Sequence, residues 1–315
     1  VDIRNKMIKI KTKGFSWIPS DDLDFYGFCG ENRDSFAAVQ YYNDKITKRR
    51  KEYPWYSAIL QPEAATCAEE VRINGYHKIE NFFNQEQKDI LLEAKGTILS
   101  YINENEHIKP QKDQNMVFVN QPILNIPNLY KIIFCDNIIN LATSYFNCIP
   151  AVTSVAVRKS FVTNGAISDN QYFHRDYNSL VKLFKVVVYF NDVDEGGGPF
   201  SYVKGSVRKM IHDWWDYPGL KDDFLEIAYG KENIKYLTAN FGDVIVADTR
   251  GYHKGLKPKS KERLAMHICF LIHPELTGEN HEHEAASEDW FRIREEDYNS
   301  LPDWKKPVAD MLRKV

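Results

Sequence analysis

Between residues 84 and 104 apolar side chains recur at three- and four-residue steps: Ile90, Leu91, Ala94, Ile98 and Tyr101. That spacing lines one face of a helix, and Asn84 with Gln87 has the form of a capping box at its start. A second helix is predicted over 128–147, beginning after Pro127, and another around 31–51. The rest of 1–75, aromatic and charged and broken by Pro54 and Pro62, reads as an irregular extension. From 151 onward the pattern shortens. Segments 151–162, 181–190, 199–204, 243–248 and 263–272 are β-branched and apolar, and Asp and Gly punctuate the turns, notably in DVDEGGGP at 192–199. Short strands after a helical half predict a β-sandwich or barrel flanked by helices. Past Pro274 the chain turns acidic and polar, with an amphipathic helix expected at 287–297 and a basic tail. The expected organisation is one domain: an N-terminal extension (1–75), a helical flank (76–150), a β core (151–273) and a C-terminal tail (274–315).

Composition narrows the class. With 315 residues and 43% hydrophobic content the chain can bury a large core, and a net charge of −3 gives no sign of a nucleic-acid or anionic-membrane partner. The basic cluster from Lys45 to Lys51 reads as a solvated face. Five scattered cysteines without a CxxC pair argue against a disulfide framework or a thiolate zinc site. The starting segment has no long apolar stretch, and no run approaches the ~20 residues of a membrane span. The expected setting is cytoplasmic; the initial Val suggests a trimmed or incomplete start.

The chemistry concentrates in Gln171-Tyr172-Phe173-His174-Arg175-Asp176. In an extended chain, residues two apart share a face, so His174 and Asp176 can offer an imidazole and a carboxylate to one metal while Arg175 points away. An HxD by itself is also compatible with a surface turn. Support comes from His253, 79 residues on, directly after the strand-like DVIVAD in DTRGYHKG. Two histidines and one carboxylate on one face of an iron leave three positions open, as non-haem Fe(II) oxygenases require. Ten residues after His253, Arg263 opens the apolar strand RLAMHICFLI. An Arg there is costly to bury without a partner, and a bound dicarboxylate would supply one through a fork-to-carboxylate contact.

The segments HRDYN, VVYFNDVDEGGGPFSYVKGS and GDVIVADTRGYHKG, with the following Arg, resemble the phytanoyl-CoA dioxygenase family of Fe(II)/2-oxoglutarate oxygenases over roughly residues 150–273. The resemblance implies a mostly β fold with a double-stranded β-helix (jelly-roll, cupin-like) core and flanking helices. It implies iron on His174, Asp176 and His253, and the distal carboxylate of 2-oxoglutarate on Arg263. It also implies O2-dependent hydroxylation of an unactivated C–H in a small or carrier-linked metabolite, with release of succinate and CO2. Two positions depart from relatives. Gly255 stands where some carry a hydroxyl residue, and Ala265 where other 2-oxoglutarate enzymes carry Ser.

Lys185, in the run FKVVVYF, shares a face with Val187 and Tyr189; it either snorkels at a strand end or points into the cavity, where it would touch cosubstrate or substrate. His267 shares a face with Arg263 and reads as a satisfied interior histidine rather than a further ligand. HEHE at 281–284 lies in a polar stretch past the last strand, and Trp214 with Trp215 reads as packing in a long insert. Gly196 to Gly198 read as a hairpin turn, since no Lys-Ser/Thr follows as in a phosphate loop. Two alternatives stay open: a jelly-roll binding protein that lost turnover, and an iron halogenase. The halogenase is disfavoured because Asp176 occupies the position chloride would need.

Overall fold

A computed structural model describes residues 35–105, 115–119, 122–167, 169–176, 183–208, 219–272 and 292–315. Helices α1 (Ser35–Glu52), α2 (Pro62–Asn74), α3 (Gln85–Glu104), α4 (Pro122–Asn125), α5 (Leu129–Ile133) and α6 (Asp136–Phe146) dominate the first half. Strands β1 (Tyr76–Ile79) and β2 (Met116–Val119) lie among them. The second half holds β3 (Ala151–Ser160), β4 (Phe184–Tyr189), β5 (Phe200–Val203), α7 (Asp222–Tyr229), β6 (Ile234–Leu237), β7 (Val244–Asp248), β8 (His253–Gly255) and β9 (Arg263–Leu271). After β10 (Arg292–Ile293) come α8 (Glu295–Ser300), α9 (Lys306–Ala309) and β11 (Arg313–Lys314).

The strands form an antiparallel six-stranded sheet in the order β1-β7-β4-β9-β3-β2 and a three-stranded sheet β6-β5-β8. All of β4 is buried because both of its faces are covered. Phe184, Val186 and Val188 join Val244, Val246, Met266 and Phe270 in the helix-side core, while Val187 and Tyr189 join Ile245, Ala247, Phe200 and Tyr202 between the sheets. Each fully buried side chain of this kind contributes about 1.5–3 kcal/mol. That double burial explains the continuous apolar run in this part of the sequence. No described helix is long and apolar enough to cross a membrane.

The expected β core and its helical flank are present, and the capping box forms: Asn84 accepts from the Gln87 amide at 2.9 Å and Gln87 accepts from Asn84 at 3.1 Å. Several expectations need correction. The helix predicted over 128–147 divides, because Cys135 is extended (φ −69°, ψ 150°) and α6 restarts at Asp136, whose acid suits a helix N-terminus. Of the 1–75 extension the described part is 35–75, where α1 matches the helix expected around 31–51 and α2 is a further helix that was not expected. Helix α2 opens with Pro62 at its first turn and ends at Gly75 (φ 90°), a Pro-start and Gly-end signature that the sequence carried. Part of the Lys45–Lys51 cluster is bonded rather than only solvated: Arg49 Nε donates to the Ile149 carbonyl at 3.0 Å and Arg50 Nε to Asn147 at 2.7 Å. Near the C-terminus, 292–293 is a strand paired with 313–314, and the helix begins only at Glu295, where three acids fill the first turn. Residues 287–291, the HEHE segment and Trp214 with Trp215 lie outside the described residues. At 195–197 the chain makes a 3-10 turn capped by Asp194; it is not a phosphate loop, and it is not the expected hairpin turn either, because β4 and β5 belong to different sheets.

Gly75 ties the helical layer to the sheets. Its amide caps α2 on the Val71 carbonyl and its own carbonyl accepts from Asp248 at 2.8 Å. A Cβ there would lie 2.4 Å from the Tyr202 ring. Gly75→Ala therefore combines a left-handed backbone with a clash against a buried ring, and should lower unfolding free energy by about 2–4 kcal/mol. Urea denaturation followed by circular dichroism measures it; an unchanged midpoint would show that Tyr202 moves aside freely.

Candidate metal centre

His174 and His253 belong to different parts of the chain but exchange both backbone hydrogen bonds, each at 2.9 Å, and form an antiparallel bridge. With the bridge from Phe173 to Leu220, this extends the three-stranded sheet by a fourth, short edge. Alternation then sorts the side chains. Phe173 is fully buried with Val203, Leu225, Ile234 and Tyr252, while His174 and Asp176 face the space between the sheets. Arg175 turns the other way, with its guanidinium on the Arg250 carbonyl and over the Tyr252 ring.

Both imidazoles are oriented in the same manner. His174 Nδ1 lies 2.9 Å from the Tyr172 carbonyl and His253 Nδ1 lies 3.0 Å from the Gly251 carbonyl. A carbonyl only accepts, so Nδ1 carries the hydrogen in both rings and each Nε2 keeps its lone pair. Burial pushes both histidines below the usual imidazole range, which favours the neutral form. The two Nε2 atoms lie 3.9 Å and 3.7 Å from Asp176 Oδ1. Lys185 takes the other oxygen, with Nζ 2.5 Å from Oδ2. Burial alone would raise the Asp176 carboxyl. The Lys185 ammonium beside it outweighs burial and holds the acid well below the ordinary carboxylate range.

The donor set suits a metal. One ligand atom from each of His174, Asp176 and His253 lies within 4.8 Å of the others. A triangle of that size has a centre roughly 2.1–2.5 Å from its corners, close to a transition-metal bond to nitrogen or oxygen at about 2.0–2.2 Å. Among the described residues no other group of His, Cys, Asp or Glu meets this test.

The turn that delivers His253 is held by a buried cluster that sequence reasoning missed. Asp248, at the end of β7, is fully buried and accepts from Arg250 Nε at 2.9 Å, from Arg250 Nη2 and from the Tyr145 hydroxyl. Its carbonyl accepts from the Tyr202 hydroxyl at 2.6 Å. The acid closing DVIVAD was the available signal, but its partner Tyr145 lies 103 residues away.

A cleft of about 580 Å³, counting the part open to solvent, extends from the triad. Lys185, Arg263 and His267 line it as their strand parity predicted, together with Arg158, Val187, Tyr189, Phe200 and Gly255. Arg263 is buried and donates to the Leu256 carbonyl and Ser160 Oγ, both at 3.2 Å; no described carboxylate pairs with it. Its guanidinium explains Gly255, where a Cβ would sit 2.9 Å from Nη2. His267 is not the satisfied interior histidine expected, because its buried Nδ1 has no hydrogen-bond partner among the described residues. Arg158 was missed, although it alternates with Val155 and Val157 on β3 and so had a readable parity.

No family model matches the sequence, and no curated protein matches it. Solved structures do. The epimerase SnoN in complex with Fe3+, alpha ketoglutarate and nogalamycin RO is similar with a TM-score of 0.54 and 17% identity, over 67% of this chain and 84% of that one. EctD from S. alaskensis in its apoform gives 0.52 and 14%, over 82% and 88%. The non-heme alpha ketoglutarate dependent carbocyclase SnoK from nogalamycin biosynthesis gives 0.51 and 16%, over 67% and 84%. The chain has the jelly-roll fold of these enzymes.

Within this jelly roll, the Asp248 cluster predicts a division of effects. Asp248→Asn removes the carboxylate that pairs with the buried Arg250 guanidinium and should cost about 3–5 kcal/mol of stability. Tyr145→Phe removes one hydrogen bond to a charged acceptor and should cost about 1.5–3 kcal/mol. Urea unfolding of both variants checks the order; equal midpoints for Asp248→Asn and wild type would remove the carboxylate as the clamp on the His253 turn.

Proposed function

We propose that this chain is a non-haem Fe(II)- and 2-oxoglutarate-dependent oxygenase of the phytanoyl-CoA dioxygenase-like kind. It hydroxylates a C–H bond of a small or carrier-linked metabolite and releases succinate and CO2. The observation that carries the reading is the convergence of two oriented Nε2 lone pairs and one carboxylate oxygen in a cleft whose lining also holds Arg263, a buried guanidinium with no described carboxylate partner. The reading is supported by SnoN, solved with Fe3+ and alpha ketoglutarate.

His174 Nε2, His253 Nε2 and Asp176 Oδ1 would hold the iron. When bound, iron with 2-oxoglutarate supplies the oxidising chemistry that no side chain possesses. The chain's own residues bind and orient. Arg263, steadied by Ser160 and the Leu256 carbonyl, receives the distal carboxylate of 2-oxoglutarate through a charge-assisted fork. Lys185, expected from the sequence to touch cosubstrate or substrate, is read as orienting Asp176: it occupies Oδ2 and turns Oδ1 toward the imidazoles. Val187, Tyr189 and Phe200 form the apolar part of the wall and limit water around the reacting groups.

The test is anaerobic titration of the Fe(II)-loaded full chain with 2-oxoglutarate, followed by its visible charge-transfer absorption, and succinate formation on admitting O2. Wild type should bind one equivalent; failure to bind ends this reading. Arg263→Ala should weaken 2-oxoglutarate roughly ten- to over a hundredfold while leaving iron affinity near wild type, because the loss of a fork of ~1.5–3 kcal/mol falls on the cosubstrate alone. Arg263→Lys should recover only part of it, since a point charge makes no paired contact. Asp176→Ala should abolish succinate formation in a chain that still folds by circular dichroism, and near-wild-type turnover in that variant would exclude Asp176 as a ligand.

A further inference from the structure

We infer that the substrate carries an oxyanion, a carboxylate or phosphate group, and that Arg158 is the residue that receives it. The inference rests on the oxygenase reading above for the location of iron and 2-oxoglutarate. On β3 the inward positions alternate with Val155 and Val157, which point into the helix-side core. Arg158 therefore projects into the cleft beside Ser160, opposite Ala265 and between the positions of Arg263 and His267 along β9. Its guanidinium carbon lies 4.9 Å from the centre of the Phe118 ring on β2, which stands opposite it in register. A ring face steadies a cation without neutralising it.

Arg158 is half-buried; among the described residues its side chain makes no hydrogen bond and no ion pair, and its Nε is enclosed without an acceptor. The nearby acceptors are already committed. Ser160 Oγ accepts from Arg263, and Asp176 Oδ2 accepts from Lys185. Arg remains charged at any accessible pH, so this is a lasting, unpaired cation in a largely enclosed wall. Among the described residues the lining holds three cations, Arg158, Lys185 and Arg263, against the one carboxylate of Asp176. A divalent metal and a 2-oxoglutarate dianion cancel each other, so loading the site leaves this excess of two positive charges unchanged. The distal carboxylate of 2-oxoglutarate takes Arg263 and Lys185 keeps its contact with Asp176, which a bound metal would share; among the described residues Arg158 is the lining cation that no acceptor contacts. An anionic substrate removes the penalty, whereas a neutral analogue leaves it in place, and that difference is a means of selection.

The test uses the full chain loaded with Mn(II), with and without 2-oxoglutarate, under argon. Hexanoate, hexyl phosphate and the neutral hexanamide are titrated calorimetrically into wild type and Arg158→Gln. Wild type should bind at least one of the two anions about tenfold or more tightly than the amide, and the tighter anion names the group. In Arg158→Gln that preference should vanish, while 2-oxoglutarate affinity stays within about threefold of wild type. If the Gln variant fails to fold by circular dichroism, Arg158→Lys decides, with a reduced but surviving anion preference. The inference is overturned if the amide binds as well as both anions, or if the preference persists in Arg158→Gln. It is equally overturned if 2-oxoglutarate affinity collapses in that variant, which would give Arg158 to the cosubstrate. Failure of wild type to bind 2-oxoglutarate would count against the oxygenase reading instead, and the titrations without 2-oxoglutarate would still decide the role of Arg158.

Discussion

The pair of backbone hydrogen bonds exchanged by His174 and His253 is the constraint on which the site depends. It joins two positions 79 residues apart and does so through amide and carbonyl groups, independent of side-chain rotamers. Once the two strands are in register, both imidazoles lie on the same side of the bridge, with ring centres 4.4 Å apart. Each ring is then fixed by a carbonyl two residues earlier in its own chain, so the same local device is used twice. The Asp248 cluster and Gly75 act one layer further out. They hold the turn leading to His253 against α2 and Tyr202, so helical packing reaches the geometry of the His174, Asp176 and His253 triad through a few buried polar contacts. Buried, fully bonded polar groups of this kind specify one arrangement more sharply than apolar packing does.

Charge shapes the cleft as much as burial does. Lys185 sits on a strand with both faces covered, a costly place for an ammonium, and the cost is offset by the Asp176 oxygen beside it. The same contact divides the carboxylate, leaving one oxygen for a metal and giving the other to Lys185. Arg263 and Arg158 have no such counter-ion among the described residues. A protein interior that retains uncompensated guanidinium groups is arranged for anions that arrive from outside. Gly255 and Ala265, the two positions that depart from the resembled pattern, have definite surroundings in this arrangement. Gly255 leaves room for the Arg263 guanidinium, and Ala265 lies opposite both Arg158 and Tyr189 in the sheet.

Local periodicity by itself determined a good deal. It set the helix expected at 84–104 with its capping box, and the strands expected at 151–162, 181–190, 199–204, 243–248 and 263–272, each of which contains an observed strand start, at Ala151, Phe184, Phe200, Val244 and Arg263. It also set the parity that turns His174 with Asp176, and Lys185 with Val187 and Tyr189, to a common face. These follow from repeats of two and 3.6 residues, which any stretch of chain expresses on its own. The short edge strands at 76–79 and 116–119 had too few residues to express a period, and the break at Cys135 had no Pro or Gly to mark it. Tertiary structure alone decided which partners meet: Tyr145 on Asp248, Ser160 on Arg263, Lys185 on Asp176, and, among the described residues, a ring but no acceptor on Arg158. The first two contacts each span 103 residues. Strand parity says which way a side chain points, but the partner waiting there is fixed only when the sheets close, because a buried charge finds its counter-ion through space and not along the chain.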